Sequence, residues 1–155
     1  MQTRREMLAR SAHLAGLLAA LGLLPGVAAA QAESWNKAAF DAKTMPDLMK
    51  ALGGGTPVAS PDVTITGPDI AENGAVVPVG AATHLPGVKR MLLLVEKNPA
   101  LMSAMFDVND AIEPNFSTRV KMGQSSNVYA VAMMNDGRVL YAAKEVKVTL
   151  GGCGG

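Results

Sequence analysis

The sequence predicts a mainly β fold: an immunoglobulin-like antiparallel β-sandwich preceded by one or two short N-terminal helices, with a flexible C-terminal tail. Three observations carry this reading. From residue 62 onward apolar side chains recur with a period of two in short runs, turn signals separate most of those runs, and no long stretch of helical period lies between them.

The helical part comes first. Trp35, Ala38, Ala39, Ala42, Met45, Leu48, Met49 and Leu52 recur at spacings of three and four, which puts them on one helical face. Ser34 is the expected N-cap, Gly53 to Gly55 the expected stop, and Pro46 inside the pattern predicts a break into two short helices. Strands are then expected at 62–66, 75–81, 88–96, 104–108, 116–122, 127–134, 138–144 and 145–150. "ENG" at 72–74 and "NDG" at 135–137 mark turns, the second a strong hairpin signal. Pro78 predicts an edge or a bulge in its strand. With a single cysteine in the chain, apolar packing has to hold the sandwich without a disulfide.

Alternation shows which strands have a wet face. Phe116, Thr118, Val120 and Met122 point one way and Ser117, Arg119 and Lys121 the other; Val146, Val148 and Leu150 alternate with Glu145, Lys147 and Thr149. By contrast, "RMLLLVE" at 90–96 and "NVYAVAMM" at 127–134 are apolar on both faces. Such strands are central and covered, or they meet another chain, and a partner on part of that surface is the favoured expectation.

Composition bounds the function classes. A chain of 155 residues, 49% hydrophobic and 17% charged, fits one globular domain, expected over 33–150. A formal net charge of +1, with no basic run beyond paired residues, excludes an electrostatic footprint for nucleic acid or an anionic membrane. Residues 1–32 read as an export signal cleaved near 30–32: Arg4 and Arg5, an apolar stretch over 14–24, then "VAAAQA". The apolar stretch is shorter than the ~20 residues that a bilayer needs, so it is expected to be cut and not to anchor. "TRREML" at 3–8 resembles the twin-arginine signal, the alternative being a general secretory signal that happens to hold two arginines. The twin-arginine route carries cargo already folded. With no cofactor motif in the chain, a partner subunit exported together with it is the reading left, and the periplasm is the expected location.

The remaining signal is the lone thiol. Cys153 stands between Gly151 and Gly152 on one side and Gly154 and Gly155 on the other. A strand that alternates as far as Leu150 is expected to be anchored, whereas 151–155 has no side chains to pack and great backbone freedom. At ~3.3–3.6 Å per extended residue, such an arm carries Cys153 about 10 Å clear of the last anchored position. No histidine or arginine adjoins it in sequence to promote a thiolate. A cysteine enzyme needs a general base held at hydrogen-bond distance, which a flexible arm does not provide. The thiol therefore reads as a handle inserted into another protein, which supplies the catalysis.

"AENGAVVPV" (71–79), "LLVEKNPA" (93–100), "STRVKMGQSSNVYAVA" (117–132) and "DGRVLYAAKEVKVTLGGCGG" (136–155), with the leader, resemble the SoxY family of thiosulfate-oxidation sulfur carrier proteins over essentially the whole mature chain. The resemblance implies an immunoglobulin-like sandwich paired with a leaderless sandwich subunit, SoxZ. It implies covalent attachment of sulfur substrates at Cys153, on an arm made of Gly151, Gly152, Gly154 and Gly155. It also implies a carrier that is not itself an enzyme, with no cofactor and no metal, docking transiently to a haem-containing thiosulfate-coupling enzyme, a sulfate-releasing hydrolase and a sulfur dehydrogenase. A Cys153-linked disulfide dimer is compatible with it as a resting state.

Two other function classes compete. A copper-handling protein would use Met45, Met49, Met91, Met102, Met105, Met122, Met133 and Met134 with His84, because thioether ligands suit Cu(I). Most of those methionines fall on apolar faces, and His84 has no companion ligand at short spacing, so core packing is the better account. A structural sandwich joined through Cys153 to another chain is the second; a permanent bridge gains nothing from four glycines. A cytoplasmic carrier that activates a C-terminal Gly-Gly carboxylate is set aside by the leader.

Overall fold

The computed structural model describes residues 36–149. The expected leader with Arg4 and Arg5, Ser34, Trp35 and the stretch from Leu150 through Cys153 to Gly155 lie outside the described residues. Two short helices open the described chain, α1 (Lys37–Asp41) and α2 (Met45–Ala51). Asn36 caps α1, accepting from the Ala39 N–H at 3.0 Å, and Thr44 caps α2, accepting from the Asp47 N–H at 3.3 Å. Pro46 occupies the first turn of α2, where a missing N–H costs nothing, so the pattern breaks just before it as expected. Gly53 follows the helix at φ 75°, the left-handed conformation that glycine adopts without strain.

Nine strands follow: β1 (Pro57–Ala59), β2 (Val63–Thr66), β3 (Ile70–Ala71), β4 (Val77–Thr83), β5 (Val88–Val95), β6 (Met102–Asp107), β7 (Asn115–Val120), β8 (Ser126–Met134) and β9 (Val139–Val148). They form a six-stranded sheet with the path β1-β9-β8-β5-β6 and β3 also on β9, facing a three-stranded sheet β2-β4-β7. The fold is the mainly β, immunoglobulin-like sandwich that the sequence predicts, with some differences in detail. The runs expected at 138–144 and 145–150 are one unbroken strand, β9. Two short strands, β1 and β3, were not anticipated and pair with β9 in parallel, so the sandwich is not wholly antiparallel. The strand expected from residue 75 starts at Val77, because Ala75 and Val76 belong to the turn closed by the Asn73 side chain. Pro78 lies in the middle strand of the smaller sheet, yet β2 stops pairing at Gly80, so no strand lies on that side of it.

The double apolarity of β5 and β8 has an internal cause. Met91, Leu93, Val95, Val128, Ala130, Ala132 and Met134 face the three-stranded sheet and pack with Val63, Val77, Val79, Ala81 and Val120. Leu92, Leu94, Val131 and Met133 face the other way, onto Ala39 of α1, Ala42 just after it, and Leu48 and Met49 of α2. The chain therefore covers both faces itself, in three layers, and the expectation that a partner covers part of these two strands is corrected. At roughly 1.5–3 kcal/mol for each fully buried aliphatic side chain, the helices are a structural requirement of the sheet. Phe106 and Phe116, stacked at 4.4 Å between ring centroids, close the gap between β6 and β7.

Candidate functional site

Of the site residues expected from the sequence, Cys153, Gly151, Gly152, Gly154, Gly155, Arg4 and Arg5 all lie outside the described residues. What the structure describes is the platform from which the Cys153 segment leaves. β9 runs ten residues to Val148 and is held on both sides at its end. On one side β3 pairs with it in parallel, Ile70 with Lys147 and Ala71 with Val148. The Lys147 N–H donates to the Asp69 carbonyl at 2.9 Å and the Thr149 N–H to the Ala71 carbonyl at 3.1 Å. On the other side β8 ends its pairing at Ser126, and the Ser125 hydroxyl takes over, accepting from the Val148 N–H at 2.9 Å. The Thr149 hydroxyl adds a longer bond, 3.4 Å, to the Glu72 carbonyl.

The turn after β3 seals this platform. Gly74 accepts from the Met122 N–H at 2.7 Å, and a Cβ on Gly74 would sit 2.4 Å from the Met122 carbonyl oxygen and 2.8 Å from the Val148 side chain. Only glycine allows that approach. The segment from Asp69 to Val76 thus wraps the last residues of β9. Lys144 and Asp69 pair at 2.8 Å across the same region, and the hydrogen bond and charge of Lys144 hold the Asp69 carboxyl below the usual carboxylate range. Asp69 is fully open to water, which screens the pair.

A concavity of about 410 Å³ lies where Thr44, Met45 and Pro46 of α2 and its cap meet Pro57, Tyr129 and Tyr141. The two tyrosines meet edge to face at 5.9 Å. Burial, and then the nearby Glu96 carboxylate, push the Tyr129 phenol up, which favours its neutral form. The lining offers neither a nucleophile with a base nor a set of metal donors. Among the described residues no three His, Cys, Asp or Glu side chains gather as metal ligands do.

Six of the eight methionines invoked for copper are core residues, while Met45 is partly buried against the helix layer and Met105 is exposed on β6. Met91, Met122 and Met134 lie between the sheets, and Met49, Met102 and Met133 pack under the helices, while His84 is exposed in the loop after β4. Arg119 and Lys121 are exposed on the wet side of β7 and beyond it, a solvated face as expected. Sequence reasoning marks Gly74 as part of a turn but does not find Ser125, β3 or the packing of Gly74 against Met122 and Val148. "ENG" is the one part of this platform with a legible signal, and it marks a turn without showing what the turn touches.

The same chain matches the family described as sulfur oxidation protein SoxY over residues 48–153. No curated protein sequence matches it. Among solved structures it is similar to the sulfur carrier protein SoxY from Chlorobium limicola f thiosulfatophilum at 36% identity, TM-score 0.61, over 68% of this chain and 96% of that one. It is also similar to the superoxide reductase (neelaredoxin) from Ignicoccus hospitalis at 20% identity, TM-score 0.50, over 56% of this chain and 80% of that one. That second likeness is one of fold alone. With a family match that runs from α2 to Cys153 and a SoxY structure at 36% identity, the chain belongs to the SoxY family of sulfur oxidation proteins.

Proposed function

We propose that this protein is a periplasmic sulfur carrier of thiosulfate oxidation, holding sulfur intermediates covalently on Cys153 and presenting them to partner enzymes without catalysing a step itself. The observation that carries the reading is the family match ending on Cys153, the only cysteine in the chain, five residues beyond a strand end bonded on both sides. The Chlorobium relative is described as a sulfur carrier protein, and a carrier needs this combination of a fixed base and a sulfur attached beyond it.

The chemistry balances with the catalysis placed in the partners. The Cys153 thiol and thiosulfate join through a new S–S bond, releasing a proton and passing two electrons to a haem-containing coupling enzyme. Water, brought by a hydrolase, then cleaves the terminal sulfone as sulfate and leaves a Cys153 persulfide with no change of oxidation state. A sulfur dehydrogenase oxidises the outer persulfide sulfur, taking six electrons and three waters to a sulfonate. A second hydrolysis frees sulfate and restores the thiol. Each step asks of this chain an accessible sulfur that exchanges partners, which is the behaviour of thiols, disulfides and persulfides. A SoxZ-like sandwich subunit completes the carrier, and the twin-arginine leader with Arg4 and Arg5 takes the pair to the periplasm.

Cys153→Ser tests the proposal, since it keeps the chain and removes the thiol. Intact-mass spectra of the wild-type protein from thiosulfate-grown cells should show adducts that a thiol reductant removes, and the variant should show none and stop thiosulfate turnover while keeping its melting temperature. Normal thiosulfate oxidation in Cys153→Ser cells would end the carrier reading.

A further inference from the structure

We propose that Ile70 and Val76 form the apolar contact patch against which the enzymes that process Cys153 dock. The inference rests on the carrier reading and adds a surface to it. Cys153 lies four residues past Thr149, so at most about 3.6 Å per residue keeps it within ~14 Å of Thr149 in any conformation. An active site that takes the sulfur has to come that close. The surface surrounding Thr149 is therefore the surface such an enzyme meets, and its composition is on view. The Asp69–Val76 segment wraps the end of β9 through bonds from Lys147 to Asp69 and from Thr149 to Ala71 and Glu72.

Two of the five large apolar residues exposed in the described chain belong to that segment. Ile70 is 58% exposed and Val76 50%, while their neighbours Ala71 and Val77 are buried. Ile70 pairs with Lys147. Val76 follows the Gly74 turn, whose closest neighbours are Met122 and Val148. Neither side chain is needed to fill a core, and a branched aliphatic residue half open to water is stabilised by leaving it. The occupant is the rim of an active-site channel, apolar where it meets these two side chains and no deeper than the short arm can reach.

Val58 supplies a matched control. It is 57% exposed and, like Ile70, lies in a short parallel strand on β9, but it pairs with Leu140. Leu140 is nine residues from Thr149, about 30 Å along an extended strand and out of reach of the arm.

The test loads Cys153 with tetrathionate. The thiolate attacks a central sulfur, forms the Cys153 thiosulfonate and expels thiosulfate, so no electron acceptor is required. Sulfate release by the hydrolase is then followed with the carrier complex as varied substrate. Ile70→Asp and Val76→Asp should each raise KM roughly tenfold, about the worth of one lost aliphatic contact, with kcat within about twofold. Val58→Asp should change neither, and tetrathionate should load all variants at the same rate. Val76 lies outside any strand, so Val76→Asp tests the patch even where Ile70→Asp disturbs β3. Unchanged KM in the Ile70→Asp, Val76→Asp double variant overturns the patch, as does an equal loss in Val58→Asp. Loss of the companion subunit from the complex in these variants also overturns it, assigning the patch to that interface instead. If the loaded wild-type carrier is not turned over, the failure belongs to the carrier reading and not to the patch.

Discussion

Gly74→Ala tests whether the turn after β3 holds the end of β9. The added methyl carbon would stand 2.4 Å from the Met122 carbonyl oxygen and 2.8 Å from the Val148 side chain. The first distance is far below any contact that a carbon and an oxygen tolerate, and a backbone carbonyl cannot swing aside as the tip of a side chain does. The turn has to retreat by more than half an ångström. In doing so it stretches the 2.7 Å bond from Met122 to Gly74 and the 3.1 Å bond from Thr149 to Ala71. One or two weakened backbone bonds at about 1 kcal/mol each, added to overpacking of about 1–3 kcal/mol, give a loss of about 2–5 kcal/mol. For a domain of this size that is a fall of roughly 8–25 °C in melting temperature. Gly123→Ala is the control, because a Cβ there meets nothing within 4 Å and should shift stability by less than about 0.5 kcal/mol. Calorimetry reads both. On the carrier reading, alkylation of Cys153 by iodoacetamide should stay unchanged while enzyme-driven turnover falls in Gly74→Ala alone. A Gly74→Ala protein that melts within about 2 °C of wild type would refute the argument that this turn fixes the platform.

Leu48→Ala removes a fully buried side chain from the layer between the helices and β5 and β8; it should cost about 2–5 kcal/mol and increase binding of a hydrophobic dye, and a neutral result would mean that the helices do not carry that layer. Replacing Arg4 and Arg5 together by lysine should leave uncleaved precursor in the cytoplasmic fraction on an immunoblot. Unchanged export would remove the twin-arginine assignment.

How much was legible depends on whether the information was local. β5 and β8 are legible directly, since the unbroken apolar runs 91–95 and 128–134 announce two buried faces. What covers the second face could not be read from those strands. The clue lay elsewhere, in helices whose own apolar positions, Ala39, Ala42, Leu48 and Met49, required burial. The sequence reading divides β9 between Lys144 and Glu145, where no turn residue stands. In the fold Lys144 stays in phase with Ala142 and Val146 and reaches out to Asp69 at the sheet edge, so the strand continues. β1 and β3 span three and two residues, too few to show any period, and their pairing with β9 joins segments far apart in sequence. Cys153 was conspicuous through composition alone. Its supporting platform was not, because backbone groups of Asp69 and Ala71 and one hydroxyl, Ser125, build it without a motif.

The platform and the short reach together constrain how a carrier of this design is used. An arm that extends at most ~14 Å from Thr149 cannot visit two active sites on separate faces of the sandwich. On the carrier reading, every enzyme of coupling, hydrolysis and persulfide oxidation would therefore approach the same end of β9, and each would have to leave before the next arrives. Tight docking would stall that exchange, so the contact at the platform should be small. Two half-exposed aliphatic side chains, Ile70 and Val76, surrounded by the opposite charges of Asp69, Glu72 and Lys147, suit brief encounters better than a permanent interface, which buries about 800 Å² on each side. On that reading a permanent SoxZ-like companion would bind elsewhere, leaving the end of β9 open. The buried faces of β5 and β8 are already taken by the chain's own helices and smaller sheet.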